Sequence, residues 1–462
     1  MRKLLSIITI LLSGTYVLSA GDLRVELAPA WPADSCFAGT LAGDDVSCWR
    51  SFDDPMLDSL IDLGRDNNYN LAAASRRIDI ARSQLRSARG AYAPEIAVSA
   101  SYNRERQSGR MAGREGAATT LSYFSAGATM NWEVDVFGKI RAQTRKADAN
   151  VRVTAAEHAA VMLALDAEIA STYIELQVSK IQLEIAREHS ENQAEILRIV
   201  KVRHETGLVS ELDEAQAKTL YYSTIASIPM LEVRIEASYN ALGVLTGLGR
   251  EGLPAGIYSA GNLPGHFQIV AAGAPVDLLR RRPDIVEAER NIDLAAAGLG
   301  IAKSDYLPSL SLSASLGTAA HNFGDLFSRP SFSYSVVPTL SWTLFDGLQR
   351  RNNTAAARQN MEAQIDVYNM TVLTAVEEVR NAMSSYKSSL EYIDRLSQVL
   401  GSSEEEVRLS LDLYKQGLTM FSNVVDAQLD YLSCRNNLVT ARGNAISYII
   451  NLYKALGGGW SE

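Results

Sequence analysis

Over 462 residues the chain carries only three cysteines, five histidines and 12 prolines. So few cysteines exclude a disulfide-stapled scaffold. The histidines (His158, His189, His204, His266 and His321) show no HExxH or other paired spacing, and there is no CxxC. Neither a zinc site nor a dithiol redox centre is written here, and no cofactor is expected. Positive charge is also short. The formal net charge is −9, which argues against a nucleic-acid partner, since that would need a basic face. Beyond the N-terminus no apolar run is long enough to span a membrane as a helix. With 47% hydrophobic and 21% charged residues the chain is neither disordered nor collagen-like. Its length allows a large buried core, and the scarcity of proline leaves room for long uninterrupted elements.

Arg2-Lys3 precede the apolar run Leu4 to Leu12, and small residues follow at Ser19-Ala20-Gly21. This pattern reads as a secretory signal peptide. Cys36 and Cys48 lie close together in a Pro/Gly/Asp-rich stretch. Their spacing is compatible with a disulfide and equally with two free thiols. Cys434, among helical-looking residues, reads as a lone inert thiol.

The chain repeats itself. Arg77-Ile78-Asp79-Ile80-Ala81 resembles Asn291-Ile292-Asp293-Leu294-Ala295, and Tyr92-Ala93-Pro94 resembles Tyr306-Leu307-Pro308. Trp132 with Phe137-Gly138 returns as Trp342 with Phe345-Asp346-Gly347. Thr206-Gly207-Leu208 returns as Gln416-Gly417-Leu418, and Gly247 as Gly457. A nearly constant shift of about 210 residues marks a tandem duplication.

Each copy opens with a helix, near 69–92 and 283–305, ended by Pro94 or Pro308. Two runs of period two follow. Ile96, Val98, Ala100 and Tyr102 lead to Phe124 through Val136; Leu310, Leu312, Ala314 and Leu316 lead to Tyr334 through Leu344. Alternation over about ten residues signals strands apolar on one side. The polar segments 103–120 and 318–329 read as loops. A helix of about 68 residues comes next in each copy, roughly 100 Å long. The 3/4 step of Leu163, Ala167, Ala170, Ile174, Val178, Ile181 and Ile185 is a coiled-coil seam, as is Val372, Val376, Val379, Met383, Tyr386, Leu390 and Ile393. A second face, Ile169, Tyr173, Leu176 and Leu183, gives the first long helix neighbours on both sides. Gly207 and Gly417 end the long helices, and shorter ones run to Gly247 and Gly457. Pro229 should kink the first of these. The early and the late short helix together nearly equal the long one, so they are expected to stack end to end alongside it. Gly247-Leu248-Gly249-Arg250-Glu251-Gly252 fits GxGxxG but follows a helix instead of a strand, and reads as a helix stop.

The expected organisation is a signal peptide over 1–20, an N-terminal extension over 21–66, a first repeat over 67–250, an inter-repeat linker over 251–282 and a second repeat over 283–462; the family resemblance given below makes the extension and the linker equatorial segments. An exported chain with half-apolar strands and no apolar helix is a candidate for the outer membrane. There a sheet must close on itself, and four strands are too few. Several chains, by counting two, three or four, must then share one barrel; the alternative is a soluble four-stranded sheet with one face on helices.

The sequence resembles the outer-membrane efflux protein family, the TolC-like ducts of tripartite pumps. The resemblance spans essentially the whole mature chain. It rests on Asp277 to Ile285 (with Arg280-Arg281-Arg282-Pro283-Asp284), Leu307-Pro308-Ser309-Leu310, Trp49 to Pro55 and Tyr453 to Trp460. These stretches are most like the NodT-like subgroup, which serves resistance-nodulation-division (RND) pumps. The resemblance implies a mainly α protein with a membrane β-barrel. It further implies a homotrimer with a 12-stranded barrel among outer-membrane lipids and a long α-helical barrel reaching into the periplasm. It implies as partners a periplasmic adaptor and an inner-membrane RND pump. One departure stands out: Gly21 occupies the place of the subgroup's lipidated cysteine, so ordinary cleavage without an acyl chain is expected.

No catalytic constellation is present, and an enzyme is not expected. The resemblance places adaptor contact at the two helix turns, Gly207, Leu208, Val209 and Ser210, and Gly417, Leu418, Thr419 and Met420. It makes Asp426 and Tyr414 candidates for the pore constriction. Leu429 stands where some members carry a basic partner for that aspartate, so any latch would need another residue, such as Arg203. The expected function is a passive duct for small molecules. A protein-secretion channel of the same fold, or a structural coiled-coil surface protein, are the alternatives.

Overall fold

The computed structural model describes residues 48–107, 119–264 and 282–458. The expected signal peptide, Gly21, the Cys36–Cys48 pairing, Arg280, Arg281 and Trp460 lie outside the described residues.

After a leading helix α1 (Pro55–Asn67), one order of elements occurs twice. The first pass is α2 (Tyr69–Gly90), β1 (Glu95–Gln107), β2 (Thr119–Val134), α3 (Lys139–Glu205) and α4 (Glu211–Leu245). The second is α5 (Pro283–Ser304), β3 (Ser309–Ala320), β4 (Phe332–Ser341), α6 (Gln349–Lys415) and α7 (Phe421–Ala455). Matching helices have equal lengths: 22 residues for α2 and α5, 67 for α3 and α6, 35 for α4 and α7. Pro229 lies inside α4 and Gly401 inside α6 without ending either helix. The chain forms two compact units: residues up to Arg76 with Ala156–Val286 and Asn369 onward, and Arg77–Ala155 with Glu287–Tyr368.

The second unit holds an antiparallel sheet in the order β1-β2-β3-β4. Its register puts all even-numbered residues on one face: Val98 opposite Ala128, Ala128 opposite Leu316, and Leu316 opposite Tyr334. The result is a mainly apolar face, with Arg104 and Arg106 toward one end, backed by a face rich in serine, threonine, glycine and asparagine that also carries Val337, Leu121 and Glu133. The apolar side is open: Val98 is 83% exposed and Tyr334 76%. The strands differ from the alternation reading at their ends. The ladder continues through Asn103↔Tyr123 to Gln107↔Thr119, and β3 runs on to Ala320. Backbone pairing carries the strands past the apolar stretch, where Arg104, Glu105 and Arg106 hide the period. Trp342 and Leu344 lie beyond the end of β4. Trp132 donates from Nε1 to the Tyr92 carbonyl (3.0 Å), and Trp342 donates likewise to that of Tyr306 (3.1 Å). The duplicated Trp and Tyr-x-Pro motifs thus meet in space in both copies, pinning the return strand to the end of the preceding helix.

The first unit carries the main core. Ile169, Ala170, Ile174 and Leu176 of α3, Leu57 and Leu60 of α1, Leu242 of α4 and Ile446, Ile449 and Ile450 of α7 are buried there. Both seams of α3 are therefore used. Two polar ties fix α1 in this core. Arg65 chelates the fully buried Asp166 (Nη2–Oδ2 2.6 Å); burial pushes the Asp166 carboxyl up, and the guanidinium opposes that shift. Asp54 caps α1 through Met56 N and Leu57 N while accepting from the Tyr173 hydroxyl at 2.8 Å.

The end-to-end stacking is visible at its joints. Asn68 Oδ1 accepts from Asn70 N (2.8 Å) and Leu71 N (3.0 Å), while its Nδ2 donates to the Leu245 carbonyl (2.8 Å). One amide thus caps the start of α2 and the end of α4. In the second copy Arg282 does the corresponding work: Nη1 donates to the Ala455 carbonyl at 2.7 Å, and Nη2 binds Asp284 (2.8 Å) and Glu378 (2.7 Å). Asn68→Ala leaves the cap groups of both helices unpaired and should cost about 1–2 kcal/mol. Thermal melting of the helical signal in detergent checks this against Asn67→Ala, whose exposed side chain bonds to the Leu63 carbonyl of its own helix. A clear drop is expected for Asn68 alone; equal effects would contradict the joint.

Candidate functional site

The site is built where two helix hairpins turn. α3 ends in a double hydrogen bond in which Gly207 N donates to the His204 carbonyl (2.9 Å) and Leu208 N to that of Arg203 (2.8 Å). α6 ends identically, with Gly417 N to Tyr414 (3.0 Å) and Leu418 N to Leu413 (2.9 Å). This closure needs a left-handed residue, and Gly207 and Gly417 supply it at φ 71° and 73°. The next helices start differently. Ser210 accepts from Asp213 N (3.3 Å) and donates to Asp213 Oδ1 (2.8 Å), a reciprocal cap. Met420 heads α7 without a side-chain cap, and Thr419 Oγ1 accepts from Asn423 Nδ2 at 2.7 Å.

The turns project apolar side chains: Leu208 is 69% exposed, Leu418 68% and Met420 72%. Val209 instead turns inward onto a small cluster of Ile196, Val200, Ala217, Tyr414, Phe421 and Val424. That cluster joins the two hairpins.

A polar clasp closes over it. The buried Tyr414 donates its hydroxyl to Asp213 Oδ2 at 3.1 Å, and its ring lies 5.0 Å from that of Phe421. The Arg203 guanidinium sits 5.2 Å from the Tyr414 ring centroid, and its Nη1 donates to the Tyr414 carbonyl at 3.4 Å. Burial, aided by the Asp213 carboxylate, pushes the Tyr414 hydroxyl up to about 12. The proton that makes this bond therefore stays in place at every physiological pH. The sign follows from the raised value: the stabilisation is whole below about pH 10, where unfolded tyrosine ionises, and is lost as pH rises through about 12. Beside the clasp, Glu214 bridges His204 Nδ1 and Lys218 Nζ, each at 2.6 Å.

The structure thus brings Arg203 and Tyr414 together and leaves Asp426 apart. Asp426 is exposed, and Arg203 engages tyrosine in place of that aspartate. The clasp's carboxylate is Asp213, which the sequence reading did not single out. Its signal was the Ser210-Glu211-Leu212-Asp213 capping pattern, which marks a helix start and says nothing of a residue 201 positions away.

With this geometry in hand, residues 60–248 and 274–458 match the model of the outer membrane efflux protein family. The chain belongs to that family. This outer membrane efflux protein is 29% identical over 455 residues to the solvent efflux pump outer membrane protein SrpC of Pseudomonas putida, with 95% of each chain covered. It is 27% identical over 444 residues to the antibiotic efflux pump outer membrane protein ArpC of Pseudomonas putida, covering 95% of this chain and 91% of that one. Its fold matches the solved outer-membrane channel OprN with a TM-score of 0.87 at 29% identity, covering 95% and 98% of the two chains. It is accordingly an outer-membrane efflux channel protein, mainly helical, with the strands as its barrel-forming part.

Tyr414→Phe keeps the ring against Phe421 and Arg203 and removes only the bond to Asp213. Channel openings in planar bilayers should become several-fold more frequent without loss of assembly. Opening at the parental rate would mean the hydroxyl does not hold the hairpins together.

Proposed function

We propose that the chain forms a homotrimeric exit duct for small organic molecules, docked through its helix turns to a periplasmic adaptor and, through it, to an RND pump that supplies the energy. The observation that carries this reading is the sheet. It has one apolar and one polar face, and β1 and β4 are edges with no partner strand among the described residues. In lipid, unpaired backbone groups at an edge are too costly to leave open. Three four-stranded sheets joined edge to edge would close a barrel of 12 strands with the apolar face outward.

The turns Gly207–Ser210 and Gly417–Met420 offer exposed leucines and a methionine on a rigid scaffold, the chemistry of a surface that docks a protein. The names of SrpC and ArpC speak of solvent and antibiotic efflux for those proteins; apolar and amphiphilic small molecules are the substrate class proposed here. The decisive experiment expresses the gene in a strain lacking its own efflux ducts. Restored resistance to such compounds, dependent on a co-expressed adaptor and pump, is expected. Assembly without any restored efflux would overturn the reading.

Two substitutions separate the faces of the sheet. Val98→Arg puts a charge on the apolar side, where it costs roughly 2–4 kcal/mol near the membrane midplane; Ser99→Arg points to the other side. Trimer yield on unheated gels should fall sharply for the first and little for the second. The opposite ranking would invert the barrel.

Asp426 is proposed to line the pore beyond the second turn, three copies around one axis. Asp426→Ala should then weaken cation preference and relieve block by multivalent cations, because a focused charge ring is lost. Unchanged selectivity in an assembled variant would place Asp426 off the pore.

A further inference from the structure

Between the main core and the tip cluster, the four helices pass through a level that neither apolar cluster fills. On α3 this level carries His189 and Gln193, 2% and 1% exposed. Among the described residues, both ring nitrogens of the one and both amide atoms of the other lack a hydrogen-bond partner. Burying polar groups unpaired weakens the packing that contains them.

Contacts across the helices align the remaining elements with this level. Arg187 of α3 pairs with Glu232 of α4 at 2.9 Å. Pro229 is three residues from that glutamate, about 5 Å along the axis, and cannot donate to the Ile225 carbonyl. Glu188 of α3 pairs with Arg435 of α7 at 2.9 Å, and the His189 ring lies 5.3 Å from that of Tyr431. Cys434 of α7 approaches the Leu396 carbonyl of α6 at 3.8 Å. Five residues on, about 8 Å away, α6 carries Gly401-Ser402-Ser403. There Ser402 Oγ donates to the Gln398 carbonyl (3.1 Å) and Ser403 Oγ to that of Leu400 (3.0 Å). Ser227 of α4 does the same to Thr224 at 2.7 Å. A proline, a Gly-Ser pair and serines bonded back to their own helix are the recognised causes of helix bending. In this protein they fall within about two helical turns of one another, beside the unpaired polar groups of a third helix.

We propose that this level is a built-in bending zone. The tip-bearing ends of the helices swing about Pro229, Gly401 and the His189–Gln193 gap, and the main core stays intact. Opening at the turns then bends the helices and releases the clasp, with no loss of packing in the main core. The link to opening rests on the duct reading above; the bending zone itself does not.

Neither site of substitution requires repacking: Pro229 is exposed, and a Cβ at Gly401 meets nothing within 4 Å. The test is therefore the pair Pro229→Ala and Gly401→Ala, made together in the full chain. Hydrogen exchange on the detergent-solubilised protein comes first. In the parent, peptides over 222–232 and 397–405 should exchange at least tenfold faster than those over 372–386, and the double variant should remove most of that difference. Equal rates in the parent would overturn the zone, whether or not the protein conducts. Bilayer recording comes second. The double variant should open at least fivefold less often at unchanged full conductance, and should suppress the gain from Tyr414→Phe. Parental opening with slowed exchange would show a soft level that opening does not use, and would overturn the coupling. A parent that never conducts would count against the duct reading and leave the exchange result to decide the zone.

Discussion

The constraint on which the rest depends is that a backbone in hydrocarbon must find all its hydrogen bonds within protein. A helix meets that demand alone; a sheet meets it only by closing. Among the described residues the chain has four strands in series and two edges left over. The two-faced register makes the edges consequential, since the apolar face suits lipid and the polar face suits water. In the proposed duct, other copies of the chain complete the sheet.

Duplication explains why the helical part is regular. Each copy supplies one 67-residue helix and two shorter ones, and the joints between the short helices are bridged by a single side chain, Asn68 in one copy and Arg282 in the other. The two solutions are chemically different and geometrically equivalent. Asn68 uses both ends of an amide. Arg282 uses a guanidinium that also holds Asp284 and Glu378. The copies have diverged where a different donor can meet the same orphan carbonyl, and have kept glycine at the turns, where only a left-handed residue closes the helix.

Much of this was legible in the sequence because it is periodic. The 3/4 seams, the period-two strands, the turn glycines and the helix-ending prolines are local signals, and the elements follow them within a few residues. The strand ends were not legible: Arg104, Glu105 and Arg106 remove the alternation while the backbone ladder runs on. Nor was the clasp. Tyr414 and Arg203 each sit in their expected helices, but their meeting with Asp213 depends on how two hairpins pack. Asp426 drew attention through family resemblance, whereas Tyr414 and Asp213 are the pair that the packing brings into contact. His189 gives no local signal in the sequence; its burial and the lack of a hydrogen-bond partner among the described residues emerge only from how the helices pack.

The central claim is that β1 of one chain pairs with β4 of another. Cysteines placed on the polar face at the two edges, Ser99→Cys with Ser335→Cys, read this out directly when bridged by a short bifunctional maleimide in isolated outer membranes. The parent, with its native cysteines, serves as the control. The account predicts covalent species of two and three chains and none larger, dependent on both substitutions. Bridging confined to single chains would show that the edges close within one protomer, and would contradict the shared barrel.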